Sequence, residues 1–320
     1  MRKVNVSVGG RAQTKRDGLG SKHRYSMYTS PSRSVTITLY SLFCVRMGCG
    51  VRKTKIRSIT LVYFSPTRTS KQIVEGIAKG IPGGSIRHLD LTPPKAKRQE
   101  VRELQEELAI IGAPVYGGRL PRDAVSRLQR LKAKDTPAVV VVVYGNRAYE
   151  DALVELRDLA VEAGFKPVAG GAFIGEHSYH TDETPIARGR PDAKDLKNAR
   201  DFGQKIREKM RNLGRPKDIP PLQVPGTYPY RERGHRAEAI APVTDEEPCI
   251  KCGTCAAVCP SAAITIGTLV MTEPDLCMLC CACVKNCPTG ARIMEHPRIK
   301  KIANWLSANC RERKEAETFI

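Results

Sequence analysis

The sequence predicts an α/β protein: a doubly wound, five-stranded parallel sheet over residues 56–214, followed by a small α+β module organised around cysteines. Two observations carry this expectation. Between residues 57 and 214, short apolar runs alternate with amphipathic helical stretches, the pattern of parallel strands joined by helical crossovers. Behind them, eight of the twelve cysteines fall into two runs of identical spacing, too regular to read as a disulfide framework.

The elements follow in order. Ser58 to Tyr63 reads as a buried strand, and 71–81 carries apolar residues at helical spacing. Strands are expected at Ser85–Leu91, at Leu108–Ala113 and, with five consecutive valines, at Ala138–Tyr144. A helix starts near Pro121, a favoured first-turn residue. Another carries Ala152, Leu153, Leu156, Leu159 and Ala160 and stops at Gly164. Lys166 to Ile174 is the fifth strand, and a helix from about Asp192 to Leu213 completes the unit. Five strands each followed by a helix match the flavodoxin-like doubly wound fold. Residues 215–245, with prolines at 216, 220, 221, 225 and 229, read as an extended linker that wraps a neighbouring surface. The cysteine module spans 246–296, and 297–320 is a C-terminal helix and tail. On that helix Ile299, Ile302, Trp305 and Leu306 are expected on one packed face, with Trp305 a packing residue.

Cys249, Cys252, Cys255 and Cys259 have the spacing C-x2-C-x2-C-x3-C-P, and Cys277, Cys280, Cys283 and Cys287 repeat it 28 residues later. Three close thiolates wrap three corners of a cubane cluster while the fourth cysteine ligates the other cluster. The expected sets are Cys249, Cys252, Cys255 and Cys287 for one, and Cys277, Cys280, Cys283 and Cys259 for the other. Zinc ribbons use paired C-x2-C but do not need four cysteines per run followed by Pro. Cys281 fits neither run, so it reads as a non-ligand, either an oxidation-prone thiol or a small core residue. Residues 249–293 resemble the bacterial two-[4Fe–4S] ferredoxins, which implies two [4Fe–4S] clusters.

Doubly wound sheets bind ligands at the carboxyl ends of their strands, and three loops emerge there. Ser65, Thr67, Thr69 and Ser70 bring hydroxyls to a helix start, whose dipole favours a phosphate. Pro114, Val115, Tyr116, Gly117 and Gly118 set a flat ring beside glycines that allow close approach. Gly145, Asn146, Arg147 and Tyr149 supply backbone groups and a second tyrosine. These loops resemble those of flavodoxins, which implies FMN held by the three segments. Arg68 departs from that family, which usually has Gly there. If the backbone needs a positive φ, Arg is costly; otherwise its guanidinium adds a phosphate contact. Taken whole, residues 56–320 resemble flavodoxin domains fused to a two-cluster ferredoxin, a family of anaerobic bacteria and archaea. His177 and Ser178 follow the fifth strand on the same side; they read as a structural loop, with contact to flavin or substrate as the alternative.

The formal net charge is +20, which alone suggests a nucleic-acid partner. More than half of that charge lies in residues 1–55, where twelve basic residues face a single acid, Asp17. This segment reads as a disordered leader, a transit peptide or an upstream start, with Met47 as the alternative start. A single Trp and 5% aromatics argue against stacking platforms for nucleic acid. No apolar run has the roughly 20 residues of a membrane-spanning helix. The cysteine usage implies a reducing, cytoplasmic location. The expected function is electron transfer between FMN, two [4Fe–4S] clusters and a redox protein partner that is not strongly basic. The alternative is a flavin-dependent reductase of a small substrate fed by the clusters. No G-x-G-x-x-G or Walker A loop is present.

Overall fold

In the computed structural model, which describes residues 56–97, 103–213, 218–234 and 238–320, one twisted sheet organises the molecule. Its strands are β1 (Ser58–Tyr63), β2 (Ser85–Asp90), β3 (Leu108–Pro114), β4 (Thr136–Tyr144) and β5 (Phe165–Ile174). They pair in parallel in the order β2-β1-β3-β4-β5, the strand order of the flavodoxin-like fold. β3, β4 and β5 are apolar on both faces because both faces are covered. On one face lie α1 (Thr69–Lys79) and α4 (Ala193–Arg211), around Ile73, Val74, Ile77, Phe173 and Phe202. On the other lie α2 (Arg122–Leu128) and α3 (Ala152–Glu162), around Phe64, Leu128, Leu153, Leu156 and Phe165. The edge strand β2 is largely exposed and carries Arg87, a charge that discourages pairing with another chain.

The expectation of five strands is extended by a sixth. β10 (Glu317–Phe319), at the end of the tail, pairs antiparallel with β5 and closes its free edge. Three residues of tail gave no period-2 signal, so this pairing is set by tertiary contacts. Asn146 fixes the tail, its amide donating to the carbonyls of Cys310 and Glu312 at 2.7 Å each while its oxygen accepts from the Lys314 amide at 3.2 Å. Tyr149 donates from its hydroxyl to Glu317 at 2.7 Å.

The Pro-rich segment lies along α3. Leu222 is buried in the core. The Thr227 and Arg231 amides donate to Asp151 at 2.9 and 2.7 Å, and the Tyr228 and Tyr230 hydroxyls donate to Asp158. Buried Glu155 accepts from Arg119 in bidentate geometry at 2.9 and 2.8 Å and also from Arg233, joining loop, helix and segment.

The cysteine module is small. It contains β6 (Val243–Thr244), α5 (Thr254–Ala257), β7 (Ile264–Ile266), β8 (Val270–Thr272), α6 (Ala282–Lys285) and β9 (Arg292–Ile293), with β6 paired to β9 and β7 to β8. α7 (Pro297–Asn309) follows. Arg127 and Lys285 help dock the module on the sheet domain. Buried Arg127 donates to the Leu91 and Thr92 carbonyls and, at 2.6 Å, to Pro260 of the module. Lys285 donates to Glu176 and to the His180 carbonyl, both at 2.9 Å. Residues 1–55, expected as a leader, lie outside the described residues. Among the described residues no helix is long and apolar enough to cross a membrane.

Candidate redox site

The 28-residue repeat is written into the backbone. Lys251 and Leu279 occupy matching positions at φ 52° and 60°, and Gly253 and Cys281 do so at φ 77° and 52°. These left-handed residues turn each run back on itself before α5 and α6. The result is two cavities. One is lined by Cys249, Cys252, Cys255 and Cys287, and the other by Cys259, Cys277, Cys280 and Cys283 together with Cys281. The grouping is the crossed one expected from spacing, with Cys259 and Cys287 exchanged between runs. All ten described cysteines are unbridged.

The donor chemistry fits metal clusters. Burial pushes the Cys280 thiol up to about 12, so a thiol packed this way is a stable thiolate only when metal-bound. The side chain of Arg292, which is 2% exposed, lines the first cavity, and its Nε has no partner among the described residues.

At the carboxyl ends of the strands lies a cleft of about 760 Å³, within the range of cofactor sites. Thr67 and Thr69 line one end, at the start of α1. Ser65 Oγ accepts from the Lys71 amide at 3.0 Å and the Arg68 carbonyl accepts from Gln72, which leaves the amides of Thr69 and Ser70 for an anion. Pro114, Val115, Tyr116, Gly117 and Gly118 line the middle. Tyr116 and Arg119 close a tight turn by exchanging backbone hydrogen bonds at 2.8 and 3.2 Å, with Gly117 and Gly118 at φ 59° and 82°. A turn with two positive φ values in succession requires glycines. A Cβ on Gly117 would meet nothing within 4 Å, so the turn presents bare backbone to the cleft.

Gly145, Arg147 and Ala148 form the third wall. A Cβ on Gly145 would stand 2.3 Å from the His177 ring, so glycine lets the loops after β4 and β5 close together. His177 Nδ1 accepts from the Tyr179 amide at 3.0 Å. Burial, helped by the charges of Lys285 and Arg147, brings His177 down to about 4, so the ring is neutral at pH 7 with its proton on Nε2. These features fit a phosphate-bearing planar cofactor.

Several expected residues are placed elsewhere. Ser65 and Ser70 are buried behind the helix start rather than lining the cleft. Arg68 takes φ 67°, the costly alternative, and its side chain is exposed. Asn146 and Tyr149 do not line the cleft; both are committed to the C-terminal tail. His177 and Ser178 line the cleft, the alternative to their reading as a structural loop. So do Arg298, Lys301, Ile302 and Trp305 of α7. Trp305 is 53% exposed, a correction to its expected packing role. At 3.6 residues per turn it stands about 120° from Ile299, and Ile299, Ala303 and Leu306 form the buried stripe. That angle was the available signal.

The cleft and the second cysteine cavity adjoin. Leu279, between Cys277 and Cys280, lines the cleft. Burial raises the Tyr116 phenol well above its ordinary range, and Cys280, Tyr179, Cys281 and Cys277 add to the rise.

Residues 248–291 match the 4Fe-4S dicluster domain. No curated protein matches the chain. Among solved structures it is similar to the Flv1 flavodiiron core from Synechocystis, at 18% identity and TM-score 0.37, covering 50% of this chain and 37% of that one. It is also similar to a flavodoxin from the domain Archaea, at 15% identity and TM-score 0.33, covering 48% of this chain and 99% of that one. Rubredoxin oxygen:oxidoreductase from Desulfovibrio gigas matches at 10% identity and TM-score 0.32, covering 50% of this chain and 37% of that one. The chain thus spans little more than a third of the Flv1 core and of the rubredoxin oxygen:oxidoreductase. The dicluster domain gives the chain two 4Fe–4S clusters and a redox role. It follows a sheet of order β2-β1-β3-β4-β5, the strand order of the flavodoxin-like fold.

Proposed function

We propose that the chain is an electron-transfer protein that relays single electrons between a redox protein partner and FMN through two [4Fe–4S] clusters. Cys249, Cys252, Cys255 and Cys287 hold the outer cluster, and Cys259, Cys277, Cys280 and Cys283 the inner one. The observation that carries this reading is Leu279, which belongs to the inner ligand loop and also lines the cleft. A bound flavin supplies chemistry that exchanges one or two electrons. Thr67, Thr69 and the first amides of α1 hold its phosphate, the 116–119 turn and Tyr116 flank its ring, and His177 offers Nε2–H as a neutral donor.

Around the outer set, Ile250, Leu269 and Met271 are 66%, 53% and 59% exposed. Only two lysines and two acids lie between Cys249 and Cys287. An apolar, nearly neutral face supports a partner of low charge, whose electron exchange is insensitive to salt.

Rapid mixing of reduced partner or dithionite with the reconstituted protein tests the order. Loss of the inner cluster through Cys280→Ser abolishes flavin reduction, whereas loss of the outer one through Cys252→Ser slows only entry from the partner. Flavin reduction at the wild-type rate without the inner cluster overturns the proposal.

The α7 wall favours a second reading, a reductase of a small anionic acceptor. Arg298 and Lys301 line the cleft beside Trp305 and Ile302, and among the described residues neither cation has a carboxylate partner. Turnover with planar carboxylate or phosphate acceptors, lost in Trp305→Ala with flavin content unchanged, supports it.

A further inference from the structure

Arg292 opens β9 and is 2% exposed. Its Nη1 donates to Thr244 Oγ1 at 2.6 Å. Its Nη2 donates to Thr272 Oγ1 at 2.6 Å and to the Pro242 carbonyl at 3.0 Å, and stands 3.9 Å from Cys283 Sγ. Every oxygen partner is neutral, and among the described residues no carboxylate pairs with it. A guanidinium remains charged when buried, and an uncompensated buried charge costs several kcal/mol. The fold therefore holds a fixed positive charge whose counter-charge is missing from the polypeptide's carboxylates.

The cysteine sets meet that need from two sides. The side chain reaches Cys283 of the inner set and lines the cavity of the outer set.

Resting on the two-cluster reading above, we propose that Arg292 is a shared counter-charge for both [4Fe–4S] clusters and raises the reduction potential of each. Each cluster gains one electron and no proton on reduction, so its net charge becomes one unit more negative. A fixed cation between the sites stabilises the reduced form more than the oxidised one. The same charge offsets repulsion between the two added electrons, so both clusters reduce within a narrow span.

The test is an anaerobic titration of the full chain with dithionite and redox mediators, followed by electron paramagnetic resonance. Iron and sulfide are counted in each sample. In Arg292→Gln both clusters become at least tenfold harder to reduce at a fixed ambient potential, 59 mV for one electron, with eight irons retained. Arg292→Lys, which keeps the charge, stays near wild type. If Arg292→Gln loses iron, Thr244→Val and Thr272→Val, which release the guanidinium, decide the matter: both potentials fall, by less. Unmoved potentials, or a shift of only one cluster, overturn the proposal and leave Arg292 as an anchor for β6 and β8. Fewer than eight irons in the wild type instead overturns the two-cluster reading itself.

Discussion

Lys285 Nζ lies 2.9 Å from Glu176 Oε1, an ion pair joining α6 of the cluster module to the loop after β5. Burial pushes the Glu176 carboxyl up, but the Gly189 amide and the Lys285 ammonium outweigh it and hold the group below its ordinary value of 4.5. A carboxyl with a depressed native pKa adds stability above pH 4.5 that is lost as pH falls through the native value. Glu176→Gln therefore costs about 1 kcal/mol at pH 7, and its deficit against wild type narrows below pH 4.5. Thermal melts over pH 3–7 read this; a deficit independent of pH counts against the pair.

His177 is held neutral, its value brought from 6.5 to about 4 chiefly by burial. The unfolded chain takes up its proton first, so this group contributes stability above pH 6.5 that is lost between pH 6.5 and 4, on the order of 3 kcal/mol. His177→Asn removes that part of the acid slope and weakens flavin binding. Denaturant titrations at several pH values, with flavin affinity measured in parallel, check both. Equal slopes in the two proteins contradict the assignment.

Cys281 occupies the left-handed position that Gly253 fills in the other run. A left-handed backbone costs a non-glycine residue roughly 1–2 kcal/mol. Cys281→Gly is expected to retain eight irons and gain about 1 kcal/mol in stability. Iron lost from one cluster in this variant makes Cys281 a ligand.

Asn146, at φ 65°, holds the C-terminal tail through three side-chain hydrogen bonds. Asn146→Gly keeps the positive φ and removes the tether, at a cost of about 2 kcal/mol. Hydrogen exchange then accelerates at Glu317–Phe319 while flavin affinity changes by less than about threefold. A large loss of flavin affinity with slow exchange retained returns Asn146 to the cleft.

The legibility of this chain follows from the range of the interactions involved. Strands β1 to β5 and the two cysteine runs announce themselves by local periodicity and spacing. The same holds for Tyr116, Gly117 and Gly118, whose turn needs two glycines in succession. Sequence does not show the tail contacts of Asn146 and Tyr149, because their partners lie more than 160 residues away and nothing near them marks the tail as an edge strand. Trp305 shares a helix with Ile299, but helical geometry turns it away from the buried stripe. Arg292 carries no spacing signal, and its meaning comes only from burial among neutral partners.

The most direct test of the account is anaerobic reconstitution of the full chain with iron, sulfide and FMN, followed by counting all three. The account predicts eight irons, eight sulfides and one FMN per chain, with FMN content falling in a Thr67→Val/Thr69→Val double variant. Eight irons with no bound FMN contradicts it.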